Sequence, residues 1–319
     1  MDHPDEPRYS ELGTDGSRPP GSSWGVFGAD DEVGTLNRVT TDAIVRAASL
    51  VTSGQVFSLN WEIDKPSPPV FGRRSPIHHV EGNSMSNEDY YDDFFPQAST
   101  QWDSLSHIRH LELGYYNGID RQETPIAGGH RLGIQNWAER GIVGRFVLLD
   151  VARHRAATRA PLDYGVRTAI GPDELDAVMR AQGVTFQTGD ILLLRFGWTE
   201  WYDGLDQSAR EAFAAHDPFP SPGLEQGERM AGWLWDNGIA AVVADCPAVE
   251  ATPFDVSYAD GFLHYRLIAL LGFALGELFA LGDLARHCAD VQRYTGLFTA
   301  APIQMVGGVG SPGNALAIM

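Results

Sequence analysis

Three runs, Phe146-Val147-Leu148-Leu149-Asp150-Val151, Ile191-Leu192-Leu193-Leu194-Arg195-Phe196 and Ile239-Ala240-Ala241-Val242-Val243-Ala244-Asp245, are apolar at nearly every position. A strand with one wet face alternates apolar and polar residues, so a run without alternation reads as a strand covered on both faces. Helical segments lie between the runs. Gly171-Pro172-Asp173-Glu174-Leu175 opens one, with a proline and two acids in its first turn, and Met230 to Asp236 forms another that stops before Asn237-Gly238. Buried strands alternating with helices predict an α/β protein.

The rest of the chain fits a single domain. Residues 1–23, rich in Asp, Gly, Pro and Ser, read as a flexible N-terminal arm, and residues 24–319 contain neither an internal repeat nor a linker. Thr40-Thr41-Asp42 offers caps for a helix from Ala43 to Ala48, and Gln55 to Trp61 alternates as a strand does. Pro66 to Asn87 is dominated by Pro, Gly and Ser and reads as a long loop, and Ile134 to Ala138 reads as a short helix. Leu263 to Glu277 carries a His and a Glu at the two ends of an apolar helix-to-turn segment. Phe298 to Met305 reads as a strand entering a tight glycine loop at Gly307 to Pro312. That loop lacks the Lys and the following helix of a phosphate loop.

Charge narrows the function. Lys plus Arg total 23 against 42 Asp plus Glu, a net charge of −19, which repels nucleic-acid backbones and anionic membranes. No run of about twenty apolar residues is present, and Met1 to Glu6 lacks the basic and apolar regions of a signal peptide. The only cysteines, Cys246 and Cys288, sit in no metal or redox spacing, so both are expected to be small buried residues and the setting to be cytoplasmic.

The densest chemistry lies in Gln97-Ala98-Ser99-Thr100-Gln101-Trp102-Asp103-Ser104-Leu105-Ser106-His107. Asp103 and His107 are four apart, a spacing that on a helical turn places both on one face, where they could share a metal or a substrate; Asp103 as a simple helix cap is the plain alternative. His78 and His79, beside Arg73 and Arg74, could help bind an acidic substrate but fit solvated loop residues better. Asp245 ends a buried strand, where sites of open α/β sheets collect, although an Asp before Cys246-Pro247 also caps a turn. Glu277 closes an apolar run and needs a partner there, either a cation or His264.

Together these segments resemble the cyclase family of metal-dependent hydrolases, which includes bacterial kynurenine formamidase and isatin hydrolase. The family signature His-x-Gly-Thr-His-x-Asp-x-x-x-His lies position by position on Gln97-x-Ser99-Thr100-Gln101-x-Asp103-x-x-x-His107. Trp24 to Asn37, the strand from Arg145 to Asp150, His264, Gly276-Glu277 and Gly307 to Pro312 look like its other landmarks, in order, so the likeness spans residues 24–318. It implies the swivelling β/β/α fold in one domain, and a homo-oligomer, dimer or tetramer.

In formamidase-like members, the first two signature histidines and the Asp bind one divalent metal, the same Asp with a distant His and Glu binds a second, and the last signature His is the acid/base. Carried over, Asp103, His264 and Glu277 look like a surviving metal site for zinc or manganese, with Gln101 as a further ligand, and His107 looks like the general base. Trp24 stands where the family places an aromatic against the substrate. Gln97 and Gln101 replace the two histidines, and an amide oxygen is a weak ligand beside an imidazole.

Three outcomes stay open. One metal sits at Asp103, His264 and Glu277 and activates a water; or the site works without metal, Gln97 and Gln101 orienting a substrate carbonyl; or the chain is a non-catalytic small-molecule-binding protein. The first leads, and the expected activity is hydrolysis of an amide, lactam or lactone bond in a small molecule, aromatic ones included.

Overall fold

Strands without a polar face need cover on both sides, and the computed structural model, which describes residues 6–216, 218–256 and 261–319, supplies it. The three apolar runs become the neighbouring parallel strands Ile142–Asp150, Ile191–Arg195 and Ala241–Ala244, and Ala274–Glu277 joins them as a fourth. Their central side chains, among them Leu148, Leu193 and Val243, are wholly buried, each contributing about 1.5–3 kcal/mol. On one side the sheet continues antiparallel through Thr295–Ala300, Ala315–Ile318 and Val56–Ser58, and on the other through Gln101–Asp103 and Gly310–Pro312, making nine strands. The result is a single-domain mixed α/β fold, as expected.

The helices follow their sequence signals. Thr41–Ala48 starts where the Thr40 hydroxyl accepts from Ala43 N at 3.1 Å, and it packs on Ile142–Asp150 and Thr295–Ala300. Pro172–Gln182 begins with its proline and ends at Gly183, which takes the left-handed conformation (φ 66°) that closes a helix. Among the described residues no helix is long and apolar enough to cross a membrane.

Three expectations are corrected. The stretch from Pro66 to Asn87 is not all loop, because Ile77–Gly82 pairs antiparallel with Asn87–Asp92 in an exposed hairpin. Its strands cover no core, so no apolar alternation marks them. Residues 6–23 are not a free arm. Glu6 binds Arg38 at 2.5 Å, Tyr9 N donates to Asp236 Oδ1 at 2.8 Å, and Tyr9 and Leu12 are buried; polar composition concealed these few anchors. Asp103 and His107 do not share a helical turn. Gln101–Asp103 is a strand, and the chain turns after it, so the helical spacing was coincidental.

Candidate active site

The strand Gln101–Asp103 builds one wall. Alternation sends Trp102 into the core, against Phe279 and Phe298, and leaves Gln101 and Asp103 together on the other face, both fully buried. The antiparallel register sets Gln101 opposite Glu277, whose strand ends there. His264 enters from the start of the π-helix Tyr265–Leu270, an irregular helix type common at functional sites.

These residues converge. One ligand atom each from Asp103, His264 and Glu277 lies within 4.8 Å of the other two. His264 Nε2 is 3.2 Å from Glu277 Oε1, and the Gln101 amide donates from Nε2 to Glu277 Oε2 at 2.6 Å and to Asp103 Oδ1 at 3.4 Å. Gln97 Nε2 donates to Asp103 Oδ1 and lies 3.2 Å from His107 Nδ1, while His107 Nε2 is 3.8 Å from Asp103 Oδ1. Asp103 Oδ2 is buried and without a hydrogen-bond partner among the described residues. An orphaned carboxylate oxygen beside an imidazole and a second carboxylate fits a divalent cation, whose charge would repay the desolvation.

Sequence reasoning missed Glu250. It is fully buried and receives Leu263 N at 3.2 Å, His264 N at 3.1 Å and His264 Nδ1 at 2.7 Å. With Nδ1 engaged by Glu250, Nε2 is the nitrogen turned to Glu277, and a cation that displaced its proton would meet a histidine oriented by a carboxylate. The preceding Val249 has φ 55°, costly for a β-branched residue, and Leu278 beside Glu277 has the same φ. Strained backbone thus flanks both acids. The available signal was an acid enclosed in the apolar run Cys246-Pro247-Ala248-Val249-Glu250-Ala251.

Arg73 also reaches the site. Its Nη1 donates to the Gln97 carbonyl and, at 3.0 Å, to Gln101 Oε1. Gln101 therefore turns its only acceptor to Arg73 and its donors to the carboxylates, and it offers no ligand oxygen here, against expectation. Trp24 stands outside this bonded group, its Nε1 donating to Ala269 O at 2.9 Å. His78 and His79 are on the exposed hairpin, and Asp245 receives Phe196 N and Gly197 N, both at 2.7 Å. Cys246 and Cys288 are buried free thiols.

Electrostatics separate the two imidazoles. Burial alone would lower His264, but its bonds to Glu250 and Glu277 overcome this and hold its pKa up at about 10. Burial and the charge of Asp103 push the Glu277 carboxyl up. Burial also lowers the His107 pKa, more than Asp103 raises it, so His107 is neutral at pH 7.

The family model described as "Putative cyclase" matches residues 57–251. A solved structure described as a novel cyclase is 32% identical over 93% of this chain and 97% of its own, with a TM-score of 0.81. This chain belongs to the cyclase family. Isatin hydrolase A from Labrenzia aggregata, bound to benzyl benzoate, is 17% identical over 83% of this chain and 93% of its own, with a TM-score of 0.57. An isatin hydrolase bound to the product analogue thioisatinate is 16% identical over 83% and 92%, with a TM-score of 0.58. These two share the fold. No curated protein matches the chain.

Proposed function

We propose that this protein is a metal-dependent hydrolase that opens an amide, lactam or lactone bond of a small molecule, with Asp103, His264 and Glu277 as the holders of one divalent cation, zinc or manganese. The observation that carries the reading is the buried Asp103 Oδ2, unpartnered among the described residues, on a carboxylate clustered with Glu277 and with a histidine whose Nδ1 is pinned by Glu250. Such a cation, when bound, supplies Lewis-acid polarisation of a carbonyl and lowers the pKa of water.

The protein's own groups do the rest. His107 is neutral at working pH and is the more exposed of the two site imidazoles, its side chain 23% accessible against 7% for His264. Its Nδ1 accepts from the Gln97 amide, which places the ring proton on Nε2, toward Asp103. A water that displaces the Gln97 amide can pass its proton to Nδ1, and Asp103 then stabilises the imidazolium across Nε2. His107 returns that proton to the leaving nitrogen or oxygen. The released Gln97 amide is free to donate to the substrate carbonyl.

Metal analysis of the purified protein tests this, together with hydrolysis assays across formyl-amides, lactams and lactones. One equivalent of zinc or manganese, lost together with activity in Asp103→Ala, supports the proposal; a metal-free protein inert across that panel overturns it in favour of a binding protein. The closed hydrogen-bond set of Gln97 and Gln101 on Asp103 and Glu277 favours a second reading, a hydrolase that works without metal. Activity that survives a chelator selects it.

A further inference from the structure

Arg73 lacks the carboxylate partner that several other buried or half-buried arginines have. Arg38, Arg131, Arg145, Arg155 and Arg195 each lie within 2.9 Å of a carboxylate. Arg73 has no carboxylate within ion-pair distance among the described residues; its Nη1 is engaged by the Gln97 backbone carbonyl and the Gln101 side-chain oxygen, and its Nε and Nη2 have no hydrogen-bond partner among the described residues. It is nevertheless close enough to the cluster to lower the pKa of both His107 and Glu277. A guanidinium fixed at one nitrogen, with its other donors open beside a hydrolytic centre, is built to take a planar anion.

The neighbouring rings narrow the class. The guanidinium carbon is 5.5 Å from the centroid of Phe71, Phe71 stacks toward Phe254 at 6.4 Å, Phe254 meets Phe262 at 4.8 Å, and Phe262 stacks on His264 at 5.2 Å with an interplanar angle of 14°. An aromatic wall therefore runs from Arg73 to the candidate metal ligand.

We propose that Arg73 is a specificity-determining residue and that its ligand is the carboxylate of an aromatic acid, the product of the hydrolysis proposed above. This rests on that reading. Hydrolysis breaks the C–N or C–O bond, forms a C–O bond from water, sends one proton to the leaving atom and leaves the acyl carbon as a carboxylate. Arg73 holds that carboxylate, and the phenylalanines hold its ring.

The test is calorimetric titration of the zinc-loaded protein with benzoate and with its neutral counterpart benzamide. Benzoate is expected to bind at least about tenfold tighter, and Arg73→Gln to remove that preference without changing zinc content or benzamide affinity. Wild-type benzoate affinity in Arg73→Gln overturns the proposal, as does a wild-type protein that fails to bind benzoate or to distinguish it from benzamide. Arg73→Lys keeps the charge and loses the fork, so it covers the case in which the Gln variant does not fold. It is expected to bind benzoate severalfold more weakly, and unchanged affinity counts against the proposal. If no amide or ester is hydrolysed, the hydrolase reading fails alone, because the benzoate preference and its loss in Arg73→Gln are read without turnover.

Discussion

Two parts of this molecule pair histidine with carboxylate at nearly the same distance. His264 lies 2.7 Å from Glu250 and 3.2 Å from Glu277; on the hairpin, His78 lies 3.0 Å from Asp89 and His79 lies 3.0 Å from Asp92. Each hairpin histidine also stacks on a tyrosine, Tyr91 or Tyr90. The environments differ. The hairpin pairs stand in water, where such a contact is worth about 0–1 kcal/mol. His264 and its partners are buried, so an unpaired member has no solvent to fall back on and its loss costs several times more. Pairing alone therefore does not mark a site. Convergence of several charged groups on one dry point does.

The strongest way to break this contrast is Asp103→Ala or His264→Ala. Either is expected to reduce bound zinc from about one equivalent to almost none, measured by elemental analysis. His107→Ala comes next. It should cost turnover about 10²–10⁴-fold while bound zinc and thermal stability stay near wild type, and full activity in that variant would sink its assignment. Because His107 is depressed below its ordinary 6.5, its basic form persists under mild acid, and the acid limb of the activity profile is expected below pH 6.5 and should vanish in the variant.

Glu250→Gln sharpens the comparison from the other side. It leaves the three proposed ligands in place but removes the charge that orients His264, so zinc affinity is expected to fall about 10–100-fold in competition with a chromophoric chelator. Stability should fall by about 1–3 kcal/mol, because the buried Leu263 and His264 amides lose a charged acceptor.

The metal-free protein should also show a pH signature that the hairpin cannot produce. His264 is raised above 6.5, so its contribution to stability is complete below pH 6.5 and is lost as pH climbs through about 10. Glu277 is raised above 4.5 and acts in the same direction from lower pH. Melting temperature without metal is therefore expected to decline from mildly acidic pH toward 10, and saturating zinc, which replaces those protons, should flatten the decline. A metal-free melting temperature that rises over this range would contradict the assignment. The smallest effect belongs to His78→Ala and His79→Ala, each expected to change stability by no more than about 0.5 kcal/mol and to leave zinc binding intact.

Much of the fold is legible in the chain because burial on both faces leaves a local mark. Phe146 to Val151, Ile191 to Phe196 and Ile239 to Asp245 have no polar face, and each forms a central strand. The hairpin and the docking of Tyr9 left no such mark, since one covers no core and the other rests on a few anchors in polar surroundings. Within the candidate site, Asp103, His107, His264 and Glu277 are singled out in the chain by the resemblance to the family signature and its landmarks, but the helical spacing gives the wrong reason for Asp103 and His107 to lie near each other. A strand and a turn bring them near each other, where a helix had been inferred.

What the sequence determined by itself was the supply: an α/β pattern, a strongly acidic chain, and two glutamines beside an Asp and a His. Only the tertiary structure decided how these are used. It set Gln101 across from Glu277, turned its side-chain carbonyl to Arg73, drew Glu250 onto the Nδ1 side of His264 and left Asp103 Oδ2 without a partner among the described residues. The physical reason is that periodicity records which face of an element is buried, whereas the orientation of a polar group inside a site depends on partners far along the chain, as Glu277 is from Gln101.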